Sequence, residues 1–141
     1  MFYKPLLIPL LVQVFLTFGV WFFLFARRIP EILNRRIDVE KLKDRQESHR
    51  LLPASAAASN NLKNLFEMPV LFYLGVVLAL VLLLSDPLLT ALAWGFVGLR
   101  IVHSLIHCSY NDVNHRFAVY LASSLFLLLF WIRLAAFILV N

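Results

Sequence analysis

Glu67 and Arg100 are opposite charges set inside apolar runs, Asn64-Leu65-Phe66-Glu67-Met68-Pro69 and Gly98-Leu99-Arg100-Ile101-Val102-His103. A charge at membrane depth costs several kcal/mol unless it is paired or hydrated, so it marks a site. Two chemistries fit. The pair can be a structural ion bridge that fixes helix register, or Glu67 can orient Arg100 toward an anionic guest. Asn60, Asn64 and Glu67 share one helix face at three- and four-residue spacing. Arg100, His103 and His107 form a second stripe at i, i+3 and i+7. His103 and His107 could bind a metal or haem, or hydrogen-bond within a polar cluster. No thiolate lies beside them, so no metal is expected. Arg116 and Tyr120, one turn apart, are either an interfacial anchor pair or an anion-holding guanidinium beside a phenol donor.

No nucleophilic triad, phosphate-cradling Gly-rich loop or dinucleotide fingerprint accompanies these residues. Chemistry here needs a substrate with its own reactive group. A thiol suits, because a nearby arginine favours the nucleophilic thiolate.

The elements that position these side chains are legible from hydropathy. The chain has 141 residues, is 62% hydrophobic and has a mean hydropathy of +0.83. A soluble domain of this size cannot hide so much apolar side chain. Four apolar stretches, about 6–26, 62–84, 88–108 and 117–140, each approach or exceed the ~20 residues a membrane-crossing helix needs. None alternates with period two, which argues against a barrel. The fold class is all-α: a single integral-membrane four-helix domain over 1–141, with a loop over about 27–60. The first stretch lacks a small-residue cleavage pattern and is expected to stay as a helix.

Local signals add detail. Pro69 should kink the second helix just past Glu67 and free the Leu65 carbonyl. Residues 52–59 read as an unstructured segment, with Ser59 or Asn60 capping that helix. Asp86 and Pro87 should cap and open the third helix. Gly95 and Gly98 invite a close neighbour. Helical rise puts Glu67 about 10 Å and Arg100 about 12–15 Å from their inner helix ends, so the two can meet. Arg133 falls near the outer surface, where it can snorkel. Cys108 is the single cysteine, so no intrachain disulfide forms. It reads as a small interfacial hydrophobe.

Residues 27–63 hold nine Lys or Arg and five acids, while Lys4 and Asp86 are nearly alone on the other side. The basic loop is expected in the cytoplasm and both termini outside. The net charge of +5 reads as topology and attraction to membrane lipids, not nucleic-acid binding.

Three local patterns resemble the MAPEG superfamily, the membrane-associated proteins in eicosanoid and glutathione metabolism. Asn64-x-x-Glu67 with a following proline is similar to that family's second-helix signature. Arg100-x-x-His103 is similar to the third-helix motif of its prostaglandin synthase branch. Arg116 followed by Tyr120, thirteen residues beyond His103, is similar to the start of the fourth helix. The chain differs from the family pattern at Asn60, His107 and Phe117, where arginine, tyrosine and, in some branches, serine occur.

The resemblance implies a homotrimer, here a bacterial-type member in the inner membrane, with glutathione in a cleft between subunits. It implies that Arg27 or Arg28, Asn64, Glu67 and Tyr120 contact the tripeptide, and that Arg116 stabilises the thiolate. Arg100, His103 and His107 would brace that site. The expected activity is a glutathione-dependent transferase or peroxidase acting on lipophilic electrophiles from the bilayer. The alternative is a non-catalytic MAPEG-like protein that binds a lipid or a protein partner. A small proton or metal carrier using His103 and His107 is a third reading.

Overall fold

A computed structural model describes residues 4–140. Residues 1–3 and 141, the termini expected outside, lie beyond the described residues. The described chain is helical: α1 (Lys4–Arg35), a 3-10 turn (Val39–Leu42), α2 (Arg45–Leu51), α3 (Pro53–Leu65), α4 (Met68–Val81), α5 (Pro87–Cys108) and α6 (Val113–Val140). Four spans are long and apolar enough to cross a membrane: α1, α3 with α4, α5 and α6. Phe15, Phe22, Leu74, Leu105 and Leu125 point outward. Exposed apolar side chains on this scale suit lipid rather than water as solvent.

α1 runs past the expected limit at residue 26. Charged side chains do not end a helix, and Arg35 lies 3.7 Å from Glu31 one turn back. The helix stops where Arg36 takes a left-handed φ of 51° and the Ile37 amide donates to the Ile32 carbonyl at 3.2 Å.

The stretch read as unstructured, 52–59, is the first half of α3. Pro53 opens the helix, and alanines sustain it. Ser59 and Asn60 therefore lie inside the helix rather than capping it. Leu52 supplies no side-chain cap. Glu31 of α1 substitutes for one: its Oε1 accepts from the Ala54 amide at 3.2 Å.

The expected Pro69 disruption is a full break between α3 and α4, at Phe66 and Glu67. Pro69 has no amide to donate and crowds the preceding turn. The Glu67 amide closes a short turn onto the Asn64 carbonyl at 3.3 Å.

α5 lies between α1, α3 and α6. Phe72 of α4, Phe96 of α5 and Phe130 of α6 form the buried centre, with ring centroids 4.9 Å apart for Phe72–Phe96 and 6.2 Å for Phe72–Phe130. Each such pair adds about 1 kcal/mol beyond simple contact. Gly95 does admit a neighbour: a Cβ there would collide with the Phe126 ring. Gly98 does not, since nothing lies within 4 Å of its Cβ position.

Asp86 caps α5 as expected, with its Oδ1 accepting from the Leu88 amide at 3.1 Å. Its other oxygen accepts from Arg133 Nε at 2.8 Å. Arg133 thus ties α6 to the α4–α5 turn rather than snorkelling alone, and its guanidinium also stacks 4.7 Å over Phe137.

Candidate functional site

The break after α3 exposes a backbone acceptor, and Arg100 uses it. Arg100 is fully buried and donates from Nη2 to the Asn64 carbonyl at 3.1 Å. The expected Glu67–Arg100 ion pair is not formed. Glu67 sits at the break, exposed, with no ion pair among the described residues. The acceptor is the Asn64 carbonyl, not that of Leu65. Once Pro69 ends α3 early, Glu67 no longer follows the helical face of Asn64, so the spacing argument fails at that residue.

Arg100 stays short of partners. Its Nε and Nη1 are buried without hydrogen bonds. Its guanidinium carbon lies 5.6 Å over the Tyr120 ring, which gives partial electrostatic relief. His103 packs against the same ring at 6.0 Å and against His107 at 5.6 Å. Both imidazoles are buried, each with an unpartnered Nδ1.

Asn64, His103, Arg116 and Tyr120, with Val113 and Phe117, line a cavity of about 200 Å³. It lies at the bundle end that carries the basic segment. α6 brings Arg116 and Tyr120 to it because Asp112 starts that helix, accepting from the His115 amide at 2.9 Å. That hydrogen bond, set against a smaller burial effect, holds the Asp112 carboxyl below its ordinary value. Arg116 is half-buried and donates to Asn111 Oδ1 at 2.5 Å, and among the described residues it forms no ion pair.

The structure thus gathers Asn64, His103, Arg116 and Tyr120 around one cavity and sets Arg100 and His107 behind it. Arg27 and Arg28 do not join them. Arg27 is exposed and stacks 5.0 Å over Phe23, while Arg28 borders a different, larger cavity. Among the described residues, no three His, Cys, Asp or Glu side chains form a metal-sized group.

A sequence model of the MAPEG family matches residues 6–136. The chain belongs to the MAPEG family. That membership makes it, in broad terms, an integral membrane protein related to glutathione and eicosanoid metabolism. No curated protein and no solved structure matches it.

Sequence reading missed Asn61. This MAPEG chain buries it completely between α3 and α5. Its Oδ1 accepts from Ser104 at 3.2 Å, and its Nδ2 donates to Cys108 Sγ at 3.4 Å. Cys108 is therefore an acceptor as well as a small packing residue. The available signal was Asn61-x-x-Asn64 facing Ser104 and Cys108 one turn apart: amides in a membrane helix need partners.

Proposed function

We propose that this MAPEG protein is a glutathione-dependent membrane transferase or peroxidase acting on hydrophobic electrophiles. The observation that supports it best is the convergence of Asn64, His103, Arg116 and Tyr120, from three helices, on one cavity beside Arg100, two of whose guanidinium nitrogens have no hydrogen bond. These groups fit an anionic thiol substrate. Arg116 offers a cation with only a neutral partner, and the unpartnered Nη1 and Nε of Arg100 and Nδ1 of His103 lie close behind.

Arg116 holds the sulfur in its thiolate form by opposite charge. Tyr120 orients it by hydrogen bonding. In transfer, the thiolate forms a bond to carbon, and the leaving group departs with its electron pair. In peroxide reduction, two thiols give one disulfide, an alcohol and water. The membrane contributes proximity, since the thiol arrives from water and the electrophile from lipid. An apolar cavity of about 370 Å³ between α4 and α6, bordered by Ser124 one turn beyond Tyr120, suits the lipophilic partner.

The 200 Å³ cavity is smaller than the roughly 300–1,000 Å³ of typical ligand sites. A tripeptide would need further wall, and a neighbouring copy in a homotrimer supplies it in this reading. Arg27 would then serve an adjacent subunit's site. The basic segment would face the cytoplasm of a bacterial inner membrane.

A second reading keeps the cleft without catalysis, for a lipid or a protein partner. The unmade Glu67–Arg100 pair and Asn60 in place of a family arginine favour it. Calorimetric titration of detergent-purified protein with glutathione, paired with a chlorinated nitrobenzene assay, separates the two. The transferase reading expects saturable binding and turnover; absence of binding at millimolar thiol overturns it. The particle mass in detergent tests the trimer.

A further inference from the structure

We propose that two adjoining cavities on the α1–α3 side form one binding site for an anionic phospholipid, separate from the Asn64–Arg116 cavity. The first has a volume of about 450 Å³ and is bordered by Arg28, Lys43, Arg45, His49 and Lys63. The second, about 410 Å³, is lined by Val14, Phe18 and Trp21 of α1 and by Tyr73 of α4. Leu62 and Phe66 border both, so the two spaces meet across shared side chains.

Charge in the first cavity is one-sided. Among the described residues, Lys43 is the one lining cation held by an acid, Glu40. Arg28, Arg45 and Lys63 have no carboxylate partner among the described residues. Arg45 donates to Asn60 Oδ1 at 3.3 Å, which leaves its charge intact. Arg28 Nε and His49 Nε2 are buried without hydrogen bonds. Burial first, then Arg45 and Arg28, hold the His49 imidazole below its usual range, as expected for a positive field that no acid answers. Ser48 and Ser59 add hydroxyl donors. Several donors and uncompensated cations around one concavity match a phosphodiester.

The second cavity decides between a lipid and a soluble phosphate. Val14, Trp21 and Arg28 recur every seven residues, so one face of α1 runs from the apolar cavity to the basic one over about 20 Å of helix. A soluble phosphate ester would leave that apolar trough empty. A phospholipid fills both, with its headgroup among the cations and an acyl chain along Trp21 and Phe18.

Protein in neutral detergent tests this by native mass spectrometry with palmitoyl-oleoyl phosphatidylglycerol, phosphatidylcholine of the same chains, and glycerol phosphate. Phosphatidylglycerol should bind about tenfold or more tightly than phosphatidylcholine, given the worth of each cation near a headgroup. Glycerol phosphate should bind far more weakly than phosphatidylglycerol. Neutralising Arg28, Arg45 and Lys63 together (R28Q, R45Q, K63Q) should remove the preference, whereas R36Q with K41Q, outside the cavity, should keep it. Equal binding of the two lipids, equal losses in both variants, or glycerol phosphate matching the lipid each overturn the proposal. Should the triple variant misfold, the three-ligand comparison on the unaltered protein still decides. No thiol enters the measurement, so its result stands apart from the transferase reading.

Discussion

Arg100 reaches the Asn64 backbone carbonyl at 3.1 Å, where α3 ends and Glu67 turns outward. A buried guanidinium held by one neutral carbonyl is electrostatically incomplete. Removing a charge from water is costly, and neither the Tyr120 ring nor one carbonyl repays it fully. The site therefore has a standing preference for a negative group near Arg100, Arg116 and His103. That preference is what the transferase proposal rests on.

Replacing Arg100 by methionine separates structure from function. The variant keeps similar volume and loses an unpaired buried charge, so stability should be unchanged or higher by about 1–2 kcal/mol. Glutathione affinity should fall about tenfold or more, as expected when a charged hydrogen-bond donor is lost. Thermal unfolding in detergent and calorimetry check both halves. A large fall in melting temperature with unchanged affinity would identify Arg100 as a structural brace alone.

Arg116→Ala should act the other way round on rate. Its one hydrogen bond goes to Asn111 at the mouth of α6, so stability should change by less than about 1 kcal/mol. Turnover with a chlorinated nitrobenzene should fall about 10²-fold if the guanidinium stabilises the developing thiolate. Arg116→Lys should recover part of the rate, because the positive charge returns without the planar fork. The apparent thiol pKa in the pH–rate profile should rise in Arg116→Ala. An anchoring residue would leave that profile unmoved.

The Asp86–Arg133 bridge carries a pH signature. Burial alone would raise the Asp86 carboxyl, but the hydrogen bonds from Arg133 and the Leu88 amide, with the Arg133 charge, outweigh it and hold it below its ordinary 3.8. A carboxyl depressed by folding contributes stability above its unfolded value and loses it as pH falls through the folded one. Arg133 is 43% exposed, which screens the pair and limits the gain to about 1 kcal/mol. Asp86→Asn should therefore melt a few degrees lower at neutral pH, and the gap should close as the pH falls below the ordinary carboxyl range. A pH-independent gap would assign the loss to capping rather than charge.

What the sequence made legible was local. The existence of four apolar spans, the Asp86 cap, Pro87 at the start of α5 and the disruption at Pro69 follow from neighbours along the chain. What it hid depends on helix rotation. Each residue turns the chain by 100°, so ending α3 at Leu65 changes where every later side chain points. That is why Glu67 left the Asn64 face and why Arg100 met a carbonyl instead. Asn61 with Ser104 and Asp86 with Arg133 join residues 43 and 47 apart in sequence. Such partners are fixed by packing between helices, which spacing on a single helix does not encode. Of the candidate site, the members on α5 and α6 were found by periodicity. Arg27 and Arg28 came from resemblance alone, and within one chain they stand elsewhere.

Gly95 and Gly98 give a contrast one helical turn apart. A methyl at Gly95 would meet the Phe126 ring below any allowed contact, whereas one at Gly98 meets nothing within 4 Å. Gly95→Ala must push α5 from α6 or drive Phe126 from its rotamer, at a cost of about 1–3 kcal/mol. Gly98→Ala should instead gain up to about 1 kcal/mol, since alanine restricts the unfolded chain and favours helix. Because α6 carries Arg116 and Tyr120, displacing it should also widen their distance from His103 and lower activity. Phe126→Leu should rescue Gly95→Ala in both melting temperature and rate by vacating the clash. Rescue of stability without rescue of rate would mean that the α5–α6 spacing does not set the geometry of the cavity.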